Sequence, residues 1–288
     1  MPRLKNQISG GVSVSEVSQW LPVVVSLVLV GMLAGTVAGL LGVGGGIVNV
    51  PVLYFLFQFY GVSADSAMVI ATGTSLAIII PTSISSIRAH HCKGNVDWAL
   101  IKRWLPFMAA GVIVGSWLLT LLDGRYFTLL FAAIALFTAF NLLFRSTKSA
   151  LAKSLPTMPA QGLLGTAIGF LSVMVGIGGG TLGVAILTAY NYAMHRAVGT
   201  SAAFGFIISL PGALFLCLVA QTPLDAPLAT WGYINLLALI IIMPLSVAFA
   251  PLGVRLGARL DENKLKKVFA LVLALTAIRM LLQVLLAY

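Results

Sequence analysis

Charged side chains are scarce in this chain of 288 residues, at 8% against 60% hydrophobic residues. Soluble domains carry roughly 25% charged residues. So few charges could not keep a fold of this size in water, which excludes a soluble enzyme and a disordered chain. The composition predicts an all-α integral membrane protein, because helices satisfy their own backbone hydrogen bonds in lipid.

Cysteine and acidic residues are also few. Cys92 and Cys217 lie far apart and form neither a disulfide framework nor a metal-binding CxxC motif. The 7 Asp and Glu residues fall in the N-terminal tail, in loops or near the ends of apolar runs. Carriers of sodium ions or protons often place a carboxylate in the membrane. The lack of one within a run argues against a cation as cargo and leaves no obvious proton carrier.

Basic residues outnumber acidic ones and give a net charge of +10. They occur in short clusters between apolar runs, the pattern of cytoplasmic loops under the positive-inside rule. No basic face of a soluble domain is visible, which argues against nucleic acid as a partner. The lipid bilayer is the expected partner.

Ten apolar runs follow a polar tail at 1–19. They cover roughly 21–43, 46–60, 66–87, 98–122 and 125–144, and then roughly 160–176, 181–194, 197–220, 230–254 and 264–287. The runs 46–60 and 181–194 are shorter than the about 20 residues that a spanning helix needs. Whether these two runs span or form arms of re-entrant hairpins stays open, so we expect about 8–10 membrane segments.

The two sets of runs are copies of one repeat. Gly44–Gly46 matches Gly178–Gly180, Gly73-Thr74-Ser75 matches Gly199-Thr200-Ser201, and Gly94 matches Gly232. Equivalent loops differ in charge, because 88–103 holds four Lys and Arg residues and 226–241 holds none. Since basic loops stay cytoplasmic, we predict two inverted-topology repeats, at 20–145 and 158–288, joined by a basic cytoplasmic linker at 146–157. Residues 158–220 must then cross the membrane an odd number of times, as a hairpin plus one span or as three spans.

The paired glycine runs are the first candidates for a ligand site. A lone run of small residues in a membrane helix usually serves close packing. Two equivalent runs that precede short segments predict helix breaks near the midplane, since each glycine weakens a helix by roughly 1 kcal/mol. The following helix N-terminus would direct N–H groups towards an anion. The candidate glycines are Gly44, Gly45, Gly46, Gly178, Gly179 and Gly180.

Hydroxyl groups recur beside these glycines. A Ser or Thr in a membrane helix most often donates back to a carbonyl one turn earlier. Recurrence of the same pair in both repeats favours a shared polar cavity instead. The candidates are Thr74, Ser75, Thr200 and Ser201, with Asn49 and Thr181 just after the breaks.

Other polar residues predict no chemistry. His90 and His91 border the basic loop, where a solvated or interfacial position is expected, and Arg279 is expected to extend to the outer surface. No HExxH, GxSxG or Walker A motif is present, so we expect no enzyme, no metal and no cofactor.

Together the motifs resemble the TauE/SafE family of membrane transporters. The resemblance rests on Gly-Leu-Leu-Gly-Val-Gly-Gly-Gly-Ile-Val-Asn-Val-Pro at 39–51, on its second copy at 175–180 and on the repeated Gly-Thr-Ser. It covers about 20–288, and it implies a permease of a bacterial inner membrane that exports sulfite, sulfoacetate or another organosulfonate. The second copy has Gly183 and Ala185 where the first has Asn49 and Pro51, so we expect unequal half-sites.

The sequence thus predicts a secondary transporter that binds a small anion near the midplane, through backbone N–H groups at both breaks and Thr and Ser hydroxyls. Two alternatives remain: an anion channel with the same lining, and a membrane sulfur-handling protein that uses Cys92 or Cys217. The Gly- and Ala-rich helices would also suit a homodimer. The exact substrate, the direction and the coupling ion stay open.

Overall fold

The computed structural model describes residues 14–41, 45–144, 154–256 and 262–286. Within these ranges the chain forms ten α-helices and one two-stranded hairpin, which confirms the predicted all-α fold. The elements are α1 (Val14–Leu41), α2 (Gly46–Phe59), α3 (Ala64–His91), α4 (Trp98–Leu121), α5 (Gly124–Phe144), α6 (Met158–Val175), α7 (Gly180–Ala189), α8 (Met194–Leu218), β1 (Thr230–Trp231), β2 (Ile234–Asn235), α9 (Leu236–Leu256) and α10 (Glu262–Leu286).

In the part of the chain that the structure describes, six helices are long and apolar enough to cross a membrane, namely α3, α4, α5, α6, α8 and α9. The short runs of the sequence become α2 and α7, of 14 and 10 residues. At 1.5 Å per residue these two helices reach only about 21 and 15 Å, less than the roughly 30 Å of a bilayer core.

Loop contacts define the two ends of the helix bundle. At one end, the Asp97 carboxylate accepts a hydrogen bond from Leu100 N at 3.0 Å and lies 3.2 Å from the Arg196 guanidinium at the start of α8. At the other end, Asp225 accepts from Ser63 N at 2.8 Å and from Ser66 Oγ at 2.6 Å, at the start of α3. We call these the Asp97 end and the Asp225 end; α3 and α8 run between them in opposite directions.

Hydrogen bonds hold both acidic residues at these positions. Burial alone would raise the pKa of the Asp225 carboxyl, but the hydrogen bonds from Ser66 and Ser63 outweigh it and hold the pKa below its ordinary value. Burial, and then the charge of Asp97, raise the pKa of the Tyr192 phenol. The phenol therefore keeps its proton and donates to Asp97 Oδ2 at 3.3 Å.

Glycines set the direction of two further helices. A Cβ atom added to Gly35 of α1 would lie 2.5 Å from the Ser246 carbonyl oxygen of α9, and Gly31 and Gly39 meet α9 before and after this point. Successive α1 residues thus meet successive α9 residues, so these two helices run parallel from the Asp225 end. By the same criterion α6 runs parallel to α4, from the Asp97 end.

The pairs α1–α2 and α6–α7 therefore enter the bundle as hairpins from opposite ends. Helix α2 returns to Ser63 at the Asp225 end, and α7 returns to Tyr192 beside Asp97. Within 158–220, the described helix α8 passes from one end to the other, and α7, of 10 residues, is too short to do so. Whether 158–220 crosses a membrane as a hairpin plus one span or as three spans stays a prediction.

The main helix pairs each join one half of the chain to the other. Helix α1 packs on α9 as α6 packs on α4, while α3 packs on α8 and α5 on α10. These are the contacts that two copies related by a two-fold axis would make. The inverted orientation of the copies in a bilayer remains a prediction.

The expectation for His90 was wrong. His90 is only 5% exposed, because the last turn of α3 packs on α1 near Gly39, whereas His91 is exposed. Arg279 is exposed, and its extension to the outer surface stays a prediction. Its guanidinium carbon lies 4.2 Å from the centre of the Phe55 ring in α2, where a cation–π contact meets its charge.

Replacing Gly169 by Ala should destabilise the α4–α6 pair more than replacing Gly165 by Ala. A Cβ atom at 169 would overlap the Met108 carbonyl oxygen, whereas one at 165 would lie 3.2 Å from the Phe107 Cβ. Both changes gain the same helix propensity, of about 1 kcal/mol. Overpacking costs about 1–3 kcal/mol, so thermal unfolding in detergent should show a lower Tm for G169A alone. Equal melting temperatures would contradict this packing.

Candidate functional site

The helix breaks predicted at the glycine runs are confirmed. Helix α6 ends at Val175, and Gly178 and Gly179 have φ angles of 69° and 73° before α7 begins. Gly45, which precedes α2, has a φ of 78°. Glycine adopts this left-handed region without a steric penalty, so these positions favour glycine strongly. Gly44 lies outside the described residues.

The two breaks meet inside the bundle. Gly46, the first residue of α2, packs directly on the Gly176 carbonyl oxygen, with no room for a side chain. Helices α2 and α7 both begin here, and neither N-cap residue makes a side-chain capping bond. The first N–H groups of each helix lack intrahelical partners, and both helix dipoles place their positive ends at this point. Gly180 and Thr181, which open α7, are buried.

Ser75 connects α3 to the α6–α7 break. Its Oγ donates a hydrogen bond to the Gly176 carbonyl oxygen at 2.7 Å. The equivalent Ser201 is also fully buried, yet in the described part of the chain its Oγ has no partner. The two copies of the Gly-Thr-Ser motif thus differ at their last residue.

Thr74 and Thr200 hold each half of the chain against the other. Thr74 Oγ1 accepts a hydrogen bond from the Asn235 backbone N at 2.8 Å, and Thr200 Oγ1 accepts one from the Asp97 backbone N at 3.0 Å. Asn235 and Asp97 are equivalent residues, 138 positions apart. Each also caps the helix that follows it, α9 or α4, through its side chain.

The glycine of each motif makes the same contact possible. Gly73 packs directly on the Tyr233 carbonyl oxygen, and a Cβ atom at Gly199 would lie 2.5 Å from the Asn95 carbonyl oxygen. Tyr233 and Asn95 are again equivalent residues. In this structure the Gly-Thr pairs therefore form two docking points between the repeats, and a role of Thr74 and Thr200 in ligand binding stays a prediction.

Buried polar groups without hydrogen-bond partners surround the breaks. In the ranges that the structure describes, they include the predicted residues Asn49, Thr181 and Ser201, and also Thr72, Ser83, Ser172 and Ser209, which sequence reasoning missed. An unpaired polar group in an apolar interior costs about 1–3 kcal/mol. Such a group calls for a specific explanation, and a ligand is one. A signal for Ser83 and Ser209 existed, since they are 126 positions apart, like Gly73 and Gly199.

Two cavities open towards the Asp97 end of α3. One, of about 500 Å³, lies between α3 and α9, and the other, of about 480 Å³, lies between α3, α4 and α8. Ile84 and the exposed Arg88 line both of them. The residue equivalent to Arg88, 126 positions on, is Leu214. Of the two repeats, the first therefore has a basic residue at this position and the second has an apolar one.

Histidine, cysteine and acidic side chains are spread over the described ranges. In the described ranges, no three His, Cys, Asp or Glu side chains lie close enough together to hold a metal ion. Cys92 is exposed and lines the cavity beside α9, while Cys217 is half-buried in α8.

A family model described as sulfite exporter TauE/SafE matches residues 27–280. The chain belongs to the TauE/SafE family. A probable membrane transporter protein of Haemophilus influenzae is 35% identical over 257 residues, which are 88% of this chain and 97% of the relative. Two further probable membrane transporter proteins, from Methanocaldococcus jannaschii and Bacillus subtilis, are 27% and 28% identical and match 89% and 88% of this chain and 94% of their own. No solved structure gives a significant match.

Membership in the TauE/SafE family, together with the six apolar helices, makes the chain a multi-pass membrane protein of a transporter family. The docking points and the glycine breaks are thus features of one TauE/SafE fold, in which the halves of the chain are held together around a polar centre.

Replacing Thr74 by Val in this TauE/SafE chain should lower the Tm in detergent. Valine keeps the shape of the side chain but removes the acceptor of the buried Asn235 N–H, at a cost of about 1–3 kcal/mol. Thr276→Val is the matched control, because Thr276 Oγ1 bonds only to the Val272 carbonyl of its own helix and is exposed. An equal Tm for T74V and T276V would contradict a docking role.

Proposed function

We propose that this protein is a secondary transporter that exports a small sulfur-containing oxyanion, such as sulfite or an organosulfonate, across a bacterial inner membrane. Family membership supports the transporter class. The observation that supports an anion is the meeting of two uncapped helix N-termini among buried hydroxyl groups that lack partners.

The placement of the acidic residues also supports a negatively charged cargo. The described acidic side chains outside α10 lie at the ends of the bundle, as Asp97 and Asp225 do, or at the start of α3 and α5, as Asp65 and Asp123 do. An anion at the breaks would thus meet N–H and O–H donors and no opposing carboxylate nearby. Neutral donors that converge on one point suit an oxyanion with several acceptor oxygens.

The Asp97 end is the cytoplasmic end in this proposal. It carries Arg88, Lys93, Lys102, Arg103 and Arg255. Lys93 Nζ reaches the Val254 carbonyl at 3.5 Å, so the end of α9 lies there too. At the Asp225 end, Arg125 pairs with Asp123 at 3.5 Å. The positive-inside rule assigns the basic end to the cytoplasm, and Arg88 would attract anions into the cavities that it lines.

Alternating access would come from the two hairpins. They enter from opposite ends and touch where Gly46 packs on the Gly176 carbonyl oxygen. A ligand that binds to the N–H groups of α2 and α7 needs these two glycines to separate. Movement of one hairpin would open the centre to one end of the bundle, and movement of the other hairpin would open it to the opposite end.

A binding panel tests the cargo. Purified protein in detergent is heated with sulfite, sulfate, thiosulfate, sulfoacetate, taurine, acetate or chloride. A ligand that binds the folded state raises the Tm, so we expect a shift for one or two sulfur oxyanions below millimolar concentration. A response no larger than that of chloride would contradict a sulfur-oxyanion site.

Counterflow in proteoliposomes tests the transport class. A carrier takes up labelled substrate faster when unlabelled substrate is present on the other side, and a channel shows no such stimulation. The C92A/C217A double variant is the companion measurement. We expect unchanged counterflow, because neither thiol lies at the breaks; loss of transport would favour sulfur handling by a cysteine.

A further inference from the structure

Two equivalent serines lie deep in the bundle and outside the motifs that the sequence singles out. Ser83 of α3 and Ser209 of α8 are 126 positions apart, the offset that relates the two Gly-Thr-Ser copies. Both are 0% exposed. Among the described residues neither Oγ has a hydrogen-bond partner.

The Gly178 peptide brings these serines to one place. A Cβ atom added to Gly178 would lie 3.1 Å from Ser209 Oγ. A Cβ atom added to Gly205 would lie 2.6 Å from Ser83 Oγ and 3.3 Å from the Gly178 carbonyl oxygen. Both hydroxyl groups therefore border the break that precedes α7, one from each repeat.

Other buried or half-buried hydroxyl groups make a hydrogen bond within their own helix that Ser83 and Ser209 do not make. Thr82, the residue before Ser83, donates to the Ile78 carbonyl of its own helix at 2.8 Å. Thr128 and Thr188 make the same kind of bond at 3.1 and 2.7 Å. This is the usual fate of a hydroxyl in a membrane helix. Ser83 and Ser209 have carbonyls one turn earlier but do not bond to them, so their O–H groups remain available to another acceptor.

The absence of a side chain at Gly205 makes room for the Ser83 hydroxyl. Gly205 of α8 stands where the equivalent position of α3 has Ile79, whose Cδ1 would lie 2.8 and 2.9 Å from Cβ atoms added to Gly46 and Gly178. The cavity of about 480 Å³ is lined by Phe206, the next residue after Gly205, and by Ile84, the next after Ser83. The Ser83–Gly205 contact is thus next in sequence to residues that line this cavity, and it lies against the Gly178 carbonyl oxygen.

We infer that Ser83 and Ser209 donate hydrogen bonds to the transported oxyanion beside the Gly178 break, while Thr74 and Thr200 dock the repeats. This inference rests on the function proposed above. A sulfite or sulfonate group offers three acceptor oxygens, which two hydroxyl groups and the N–H groups of α7 can share. Because one serine comes from each repeat, the bound anion connects the two halves of the chain.

The test compares S83A, S209A and the double variant with T82V, in the full-length protein with sulfite and sulfoacetate as probes. Thermal shift gives the Kd and the ligand-free Tm of each. Each serine change should raise the Kd about tenfold or more, since a hydrogen bond to a charged group is lost. The ligand-free Tm should stay unchanged or rise, because an unpaired buried hydroxyl is removed. T82V, which loses a bonded hydroxyl one residue away, should keep the Kd of the unchanged protein.

The outcomes separate the two proposals. If the unchanged protein binds no oxyanion of the panel, the proposed function fails and the serine assignment fails with it. If it binds, but S83A and S209A bind within about twofold of it, only the serine assignment is overturned. A lower ligand-free Tm in both serine variants with an unchanged Kd also overturns that assignment and shows a structural role. If the double variant does not fold, the comparison uses the single variants and S83C. The thiol of S83C is close in size to the serine hydroxyl but is a weaker hydrogen-bond donor.

Discussion

Backbone-to-backbone contact at glycine is the interaction on which the rest of this structure depends. In lipid there is no hydrophobic gain between helices, so close packing and hydrogen bonds must hold them together. Gly35 brings α1 onto α9, Gly169 brings α6 onto α4, and Gly46 closes one break on the other. Because the side chain is absent at each point, the backbones approach closely enough for Thr74 and Ser75 to reach groups in the other half of the chain. The glycines thus let the two halves of the chain pack closely, and this close packing brings the polar groups together at the centre.

The scaffold is symmetric, but its centre is not. Ser75 bonds across the break while Ser201 keeps a free hydroxyl in the described part of the chain, and α3 has Ile79 where α8 has Gly205, which contacts the Ser83 hydroxyl. The buried His90 has Leu216 as its equivalent, and Arg88 has Leu214. Equal halves would make the two faces of the bundle energetically equivalent. These differences, concentrated on α3 and α8, make one end of the bundle more polar and cationic than the other, so the two ends are not energetically equivalent.

The sequence predicted more of the fold than of the candidate site. Composition predicted the membrane class, and the rigid local preferences of glycine predicted the breaks at Gly45 and Gly179, because left-handed backbone is a property of the residue itself. The partner of a hydroxyl is a different kind of property. Thr74 bonds to Asn235, 161 positions away. A partner so distant in sequence cannot be predicted from the residues around Thr74. His90 was misplaced for the same reason: its neighbour in sequence is a basic loop, but its neighbour in space is α1. The inverted orientation and the ligand contacts of Gly44 and its fellow motif residues remain predictions.

The pairing of α1 with α9 has a consequence for how the chain is made. Gly35 and Ser246 are 211 positions apart in the chain. At about 5–20 residues per second of synthesis, α1 waits on the order of 10–40 s before α9 emerges. During that time the glycine face of α1 meets lipid or another protein, and α4 likewise waits for α6. Neither half can complete its own packing, so the ribosome must deliver most of the chain to the membrane before α1 makes its final contacts with α9.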